Sequence, residues 1–242
     1  MSFFFQPKVQ QGVLELDREE SRHCVKVLRK QKGDRIKITD GKGYFYEASV
    51  SKADPKACGF EVINQEYVEP DPFHIHVALA PTKNLDRTEW FVEKAVEIGV
   101  HKISFILCDN SERKVLKTER LIRKAVSAMK QAQRSRLPQM HELISFQKLV
   151  QRQNAGYQLV AYLDDEPSKT LVEAVEPESD YLVLIGPEGD FSNAEIELAR
   201  QQGFTTISLG NSRLRTETAG IAACHTLQLI QHGFTKSSQK TA

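Results

Sequence analysis

The five residues Tyr181-Leu182-Val183-Leu184-Ile185 are apolar without a break, and they stop at Gly186-Pro187-Glu188-Gly189. So short an unbroken run predicts a strand covered on both faces, the setting of a parallel sheet between helices. Gly186 and Gly189 admit a tight turn or a closely approaching ligand, and Pro187 stiffens the turn. Ser192 and Glu195 then have the spacing of a capping box for a helix. Strand, glycine turn and helix in that order place the turn at the carboxyl end of a strand, where open α/β sheets hold ligands. The plan recurs: Ile207-Ser208-Leu209 ends at Gly210, and 211–215 lead into a helix from near Glu217. Neither loop has the phosphate-cradling GxxxxGK[ST] or GxGxxG pattern, so a ligand held there need not carry phosphate. Taken alone, each loop reads equally well as an ordinary strand-to-helix turn.

The chain around these loops alternates in the same way. Strands are expected at 73–80, 102–107, 157–163, 181–185 and 206–209, with helices at 85–98, 118–134, 170–175, 193–202 and 217–231. This is an α/β domain with a mainly parallel sheet over 73–235, and the polar 236–242 read as a flexible tail. Residues 1–68 differ. Short alternating runs at 12–16, 35–39, 44–50 and 59–63, punctuated by Gly33-Asp34, Asp40-Gly41 and Asp54-Pro55, predict a small β-barrel with one helix over 18–28. Pro70 and Pro72 mark the linker between the two.

Net charge is +1, from 33 Lys and Arg against 32 Asp and Glu, yet the charges are segregated. Basic residues gather over 22–37 and over 113–136, and on the helix from 118 Arg120, Lys124 and Arg134 share a stripe apart from its apolar face. Two positive faces on a nearly neutral chain point toward a polyanion such as RNA; one such run alone is more often a solvated helix face. Four well-separated cysteines argue against a disulfide framework or zinc site and fit a reducing cytoplasm, and no stretch is long and apolar enough to span a membrane. His74 and His76 have no third ligand in view, so no metal is expected, and Trp90, Phe91 and Tyr46 read first as core aromatics.

The ordered pair LIGPEGDFSNAEI and ISLGNSRLRTETA resembles the SPOUT methyltransferases, and within them the RsmE family. The likeness runs along nearly the whole chain, through Arg22-His23, Arg29, Gly33-Asp34, Lys83, Lys94, Glu97, Ser111-Glu112-Arg113, Gln131, Arg134, Arg136 and Pro138. It implies a PUA-like RNA-binding barrel over 1–68, a SPOUT domain with a deep trefoil knot near 157–232, and a homodimer. It further implies methylation of uracil N3 in 16S ribosomal RNA of the small subunit, with S-adenosylmethionine as cofactor. By that resemblance Leu163, Ile185, Gly186, Pro187, Glu188, Gly189, Leu209, Gly210, Leu214, Thr218 and Ala219 hold the cofactor. Arg215 and Glu217 serve catalysis, and Arg22, His23, Arg29, Arg113, Arg120, Lys124, Arg134 and Arg136 bind RNA. The chain departs from the family pattern at Asp190, usually a second glycine, and at Ser212 and Arg213, usually an arginine followed by a branched apolar residue. Two other functions compete: another SPOUT reaction (ribose 2′-O or guanine N1 methylation of transfer RNA), and a non-catalytic RNA-binding assembly factor.

Overall fold

A computed structural model describes residues 3–152, 156–162 and 169–233. The chain divides into two compact units, Met1–Pro70 with Ala125–Leu137, and Asp71–Lys124 with Pro138–Ala242.

The first unit contains β1 (Phe3–Phe5), α1 (Arg18–Arg22), β2 (Arg35–Thr39), β3 (Tyr44–Lys52) and β4 (Gly59–Tyr67). Among the described residues its sheet has the order β1-β2-β3-β4, with β1 parallel to β2 and the other pairs antiparallel. Alternate residues of these strands, Phe4, Ile36, Ile38, Tyr46, Ala48, Val50 and Phe60, enter one core. Asp17 caps α1 by accepting from the Glu20 amide at 2.8 Å, and the helix runs on as a π-helical turn over His23–Val27.

The strand expected at 12–16 is not formed. Val13 and Leu14 are exposed, only Leu16 is buried, and a single bridge joins Glu15 to Gly59. The edge position belongs to Phe3–Phe5, an apolar run too short to show a period. β4 runs past the expected 63 to Tyr67, although residues 61–67 are exposed throughout and show no alternation. Residues 125–137 complete the unit. Lys130 pairs with buried Glu20, and Arg136 donates to the carbonyls of Lys42 and Val68 and to the Tyr67 hydroxyl.

The second unit is the α/β one. It contains β5 (Ile75–Leu79), α2 (Leu85–Ile98), β6 (Lys102–Leu107), the start of α3 (Thr118–Gln131), β7 (Gln139–Ser145), α4 (Phe146–Val150) and β8 (Tyr157–Ala161). There follow α5 (Leu171–Ala174), β9 (Tyr181–Ile185), α6 (Asn193–Gln201), β10 (Thr205–Ile207) and α7 (Thr216–Gln231). Among the described residues six strands form one sheet, β10-β8-β9-β5-β6-β7, parallel at every pairing. The predicted β9 is buried along its whole length. Strand β7 escapes a sequence reading because it is a half-exposed edge, with polar residues at Gln139, His141 and Glu142. No helix of the described residues is long and apolar enough to cross a membrane.

Two local devices set the helices that matter most. Gly99 ends α2 with φ 105°, the left-handed cap that only glycine adopts without strain. Gly220 lets α7 lie close on α2 and β5: a Cβ there would stand 2.6 Å from the Phe91 ring and 2.9 Å from Leu79.

Candidate functional site

Strands β10, β8 and β9 are neighbours and run the same way, so the segments leaving their carboxyl ends emerge side by side. Together they line a cleft of about 330 Å³. Its walls are Ala161 and Tyr162 after β8, Ile185 to Glu188 and Asp190 after β9, and Ile207 to Gly210 with Ser212 to Thr216 and Ala219 after β10.

Hydrogen bonds hold these segments in place. Thr216 Oγ1, at the start of α7, donates to the Gly186 carbonyl at 2.9 Å and so ties the third loop to the second. Ser208 Oγ accepts from the Gly210 amide at 3.1 Å and fixes the glycine turn. Asn110 donates to the carbonyls of Gly189 and Asp190 at 3.1 Å each. The capping box expected of Ser192 and Glu195 is present, and burial pushes the Glu195 carboxyl above its ordinary value. Glu188 Oε1 accepts from the Lys83 amide at 3.1 Å, whereas Oε2 is buried with no hydrogen-bond partner among the described residues.

Of the residues assigned to the cofactor, Ile185, Gly186, Pro187, Glu188, Leu209, Gly210, Leu214 and Ala219 line this cleft. Gly189 stands behind it against Asn110, 3.1 Å from where its Cβ would lie. Thr218 lines a neighbouring cleft, and Leu163 lies outside the described residues. Tyr162, Ser208 and Thr216 were not singled out from the sequence. Only the strand order brings the end of β8 beside the other two loops, and Thr216 is legible only once the loops are known to touch.

Arg215 borders both clefts. The second, of about 320 Å³, is lined by Asp86, Arg87 and Trp90 of α2 and by Arg215, Glu217 and Thr218 at the start of α7. Arg215 is exposed and makes no capping bond. Glu217 lies against Arg87, not Arg215. It is 6% exposed, its Oε1 lies 3.8 Å from Arg87 Nε, and its Oε2 is buried without a hydrogen-bond partner among the described residues.

The residues expected to meet RNA fall into two sets. Arg22 and Arg29 are exposed, and His23 is half-buried against the Phe4 ring. The rest are engaged within the protein. Arg113 donates to the carbonyls of Thr82 and Lys83, and Arg120 is held by Asp86 and Glu89. Lys124 is held by Glu93, Arg136 by its carbonyl pair, and half-buried Arg134 also has a partner. The basic stripe of α3 is thus largely matched by the acids of α2. His74 bonds Asp180 at the surface, while His76 is buried and meets Ser104 at 2.8 Å. Among the described residues no group of three His, Cys, Asp or Glu side chains could hold a metal ion.

Fold and site together define a two-unit protein: a small β unit, and a parallel α/β unit with a cleft in loops at the carboxyl ends of adjacent strands. The described RNA methyltransferase domain matches residues 69–228, and the RNA methyltransferase PUA domain matches 16–63. The ribosomal RNA small subunit methyltransferase E of Bacillus subtilis is 32% identical over 224 residues, 85% of each chain. A crystal structure from Porphyromonas gingivalis, described as a probable rRNA-methyltransferase, superposes with a TM-score of 0.90 at 41% identity, over 97% of this chain and 100% of that one. A Legionella pneumophila protein described as a methyltransferase in complex with the bound cofactor SAM superposes at 0.85 with 28% identity, over 94% and 97%. The chain belongs to the RsmE family of RNA methyltransferases.

Proposed function

We propose that this chain methylates N3 of a uridine in 16S ribosomal RNA of the small subunit, with S-adenosylmethionine as methyl donor. The observation that carries the reading is the cleft at the ends of β8, β9 and β10, bordered by Arg215, which also borders the neighbouring cleft.

The residues of the first cleft suit that cofactor. Ile185, Ile207, Leu209, Leu214, Ala161 and Ala219 offer apolar surface for a purine ring, and Gly186 and Gly210 bring backbone to the cleft wall without a phosphate cradle. Glu188 presents a buried carboxylate oxygen without a partner, a fit for a cationic or N–H-bearing ligand. Arg213 lines the same cleft and suits a carboxylate. When bound, the cofactor supplies an electrophilic methyl group.

The chain's own residues deal with the base. Uracil N3 bears a weakly acidic proton, and the free oxygen of Glu217 accepts it as N3 becomes the nucleophile. Negative charge then spreads onto the neighbouring carbonyl oxygens, where the Arg215 guanidinium stabilises it. The same reading brings a homodimer, a knotted region near 157–232 and a cytoplasmic site of action; sedimentation tests the first.

Nucleoside mass spectrometry of small-subunit RNA, with and without the protein, should find N3-methyluridine only with it. Another methylated nucleoside overturns the uracil assignment. Arg215→Ala should slow methylation about 100-fold or more while S-adenosylmethionine still binds by calorimetry. Wild-type turnover in that variant removes Arg215 from the reaction.

A further inference from the structure

Three features of the second cleft stand unexplained. Trp90, 44% exposed, forms part of its wall and leaves a large aromatic side chain partly open there. Glu217 lines it too, and its Oε2 is buried with no hydrogen-bond partner among the described residues, a costly state for a carboxylate oxygen. Arg87 and Arg215 give its rim two guanidinium groups. A flat π surface, a buried acceptor and a cationic rim are the chemistry that recognises a single unstacked nucleotide. The ring stacks on its face, its N–H edge meets the carboxylate, and its phosphates meet the arginines.

We propose that the cleft between α2 and the start of α7 receives the target base, with Trp90 as its stacking platform and Glu217 Oε2 as acceptor for its N–H edge. The proposal rests on the methyl-transfer reading above and adds to it the place of the acceptor. Methyl donor and acceptor then occupy adjoining clefts that meet at Arg215, as direct transfer between them requires. Trp90 touches RNA and is absent from the walls of the cofactor cleft, so its loss should act on one substrate only.

Trp90 is the only tryptophan of the chain, so intrinsic fluorescence reports on this wall alone. Titration with in vitro transcribed small-subunit ribosomal RNA, which has no methyl groups and no tryptophan, should quench the emission. Unchanged emission in a mixture where filter binding shows the RNA held overturns the proposal. On unmethylated small subunits Trp90→Ala should raise KM for RNA roughly 5- to 150-fold, the span of one base–aromatic stack. The calorimetric Kd for S-adenosylmethionine should stay at the wild-type value, and Trp90→Phe should restore most of the loss. Wild-type kcat/KM in Trp90→Ala overturns the proposal. So does a variant that loses cofactor binding or sediments differently from wild type, because Trp90 then holds the fold or a contact between two copies. Failure of the uracil assignment is a separate event: it shows in which nucleoside is modified, not in the fluorescence.

Discussion

Asp190 sits in the loop after β9 with φ 63°, the left-handed region that costs most residues about 1–2 kcal/mol and glycine nothing. The sequence marks this position as a departure from the family glycine, and the backbone conformation is the one a glycine would hold. The aspartate meets part of the cost itself, since its Oδ1 accepts from the Phe191 amide at 2.8 Å. Asp190→Gly should therefore leave stability within about 0.5 kcal/mol of wild type. Asp190→Val, branched and without the acceptor, should lower it by about 1–2 kcal/mol in urea denaturation. Equal stabilities for the two variants would show that the loop does not depend on this backbone angle. Arg213 is the other informative departure. Arg213 lines the first cleft two residues before Arg215, so the loop brings two cations to one cleft. Spacing alone did not say which of them would also face the second cleft. The orphaned oxygens of Glu188 and Glu217 were beyond the sequence as well, because burial without a partner is a tertiary property.

At the scale of elements, the helices and strands with one clear period were legible, and those without one were not. α2, β6 and β9 fall on the expected residues because the first is amphipathic with a glycine stop and the others are buried apolar runs. Strands β1 and β7, and β4 beyond residue 63, owe their place to pairing with neighbours, and their own side chains alternate weakly or not at all. The α3 stripe was legible as a stripe. Its neutralisation by Asp86, Glu89 and Glu93 was not, because that depends on how α2 lies against it. The close packing of α7 on α2 gives a direct test. Gly220→Ala would push a methyl into Phe91 and Leu79, both fully buried, and should cost about 1–3 kcal/mol by thermal or urea unfolding. A stability equal to wild type would mean that the α2–α7 interface has slack. The same variant should weaken methylation, since both walls of the second cleft ride on that interface.

For the whole molecule, pH acts through a residue far from either cleft in function. His76 is buried on β5, and burial first, then Lys102 and His141, hold its imidazole down to about 3. The unfolded chain takes that proton near 6.5. Between these values the unfolded state binds the extra proton, so stability is complete above 6.5 and falls as pH drops, by about 1.4 kcal/mol per unit. Going from pH 7.5 to 5 should therefore cost about 2 kcal/mol by this route. Glu20 and Glu195, whose carboxyls burial pushes up, act in the opposite sense at the acid end. Comparing wild type with His76→Gln in urea at both pH values isolates the histidine. An equal loss in the two proteins would show that His76 does not carry the acid sensitivity. The net charge of +1 adds little to such a dependence near neutrality.

The segment 125–137 belongs to the first unit although it follows the whole of the chain's first half. On a ribosome, β1 to β4 are synthesised long before Lys130 and Arg136 emerge. Until then Glu20 has no cation, and the carbonyls of Lys42 and Val68 lack the guanidinium that later joins them. The amino-terminal unit cannot close as a finished piece at residue 70, and β5, α2 and β6 must be made before it does. For this chain the order of synthesis and the order of completion are not the same, and a fragment cut at the proline-marked linker should behave as an unfinished one.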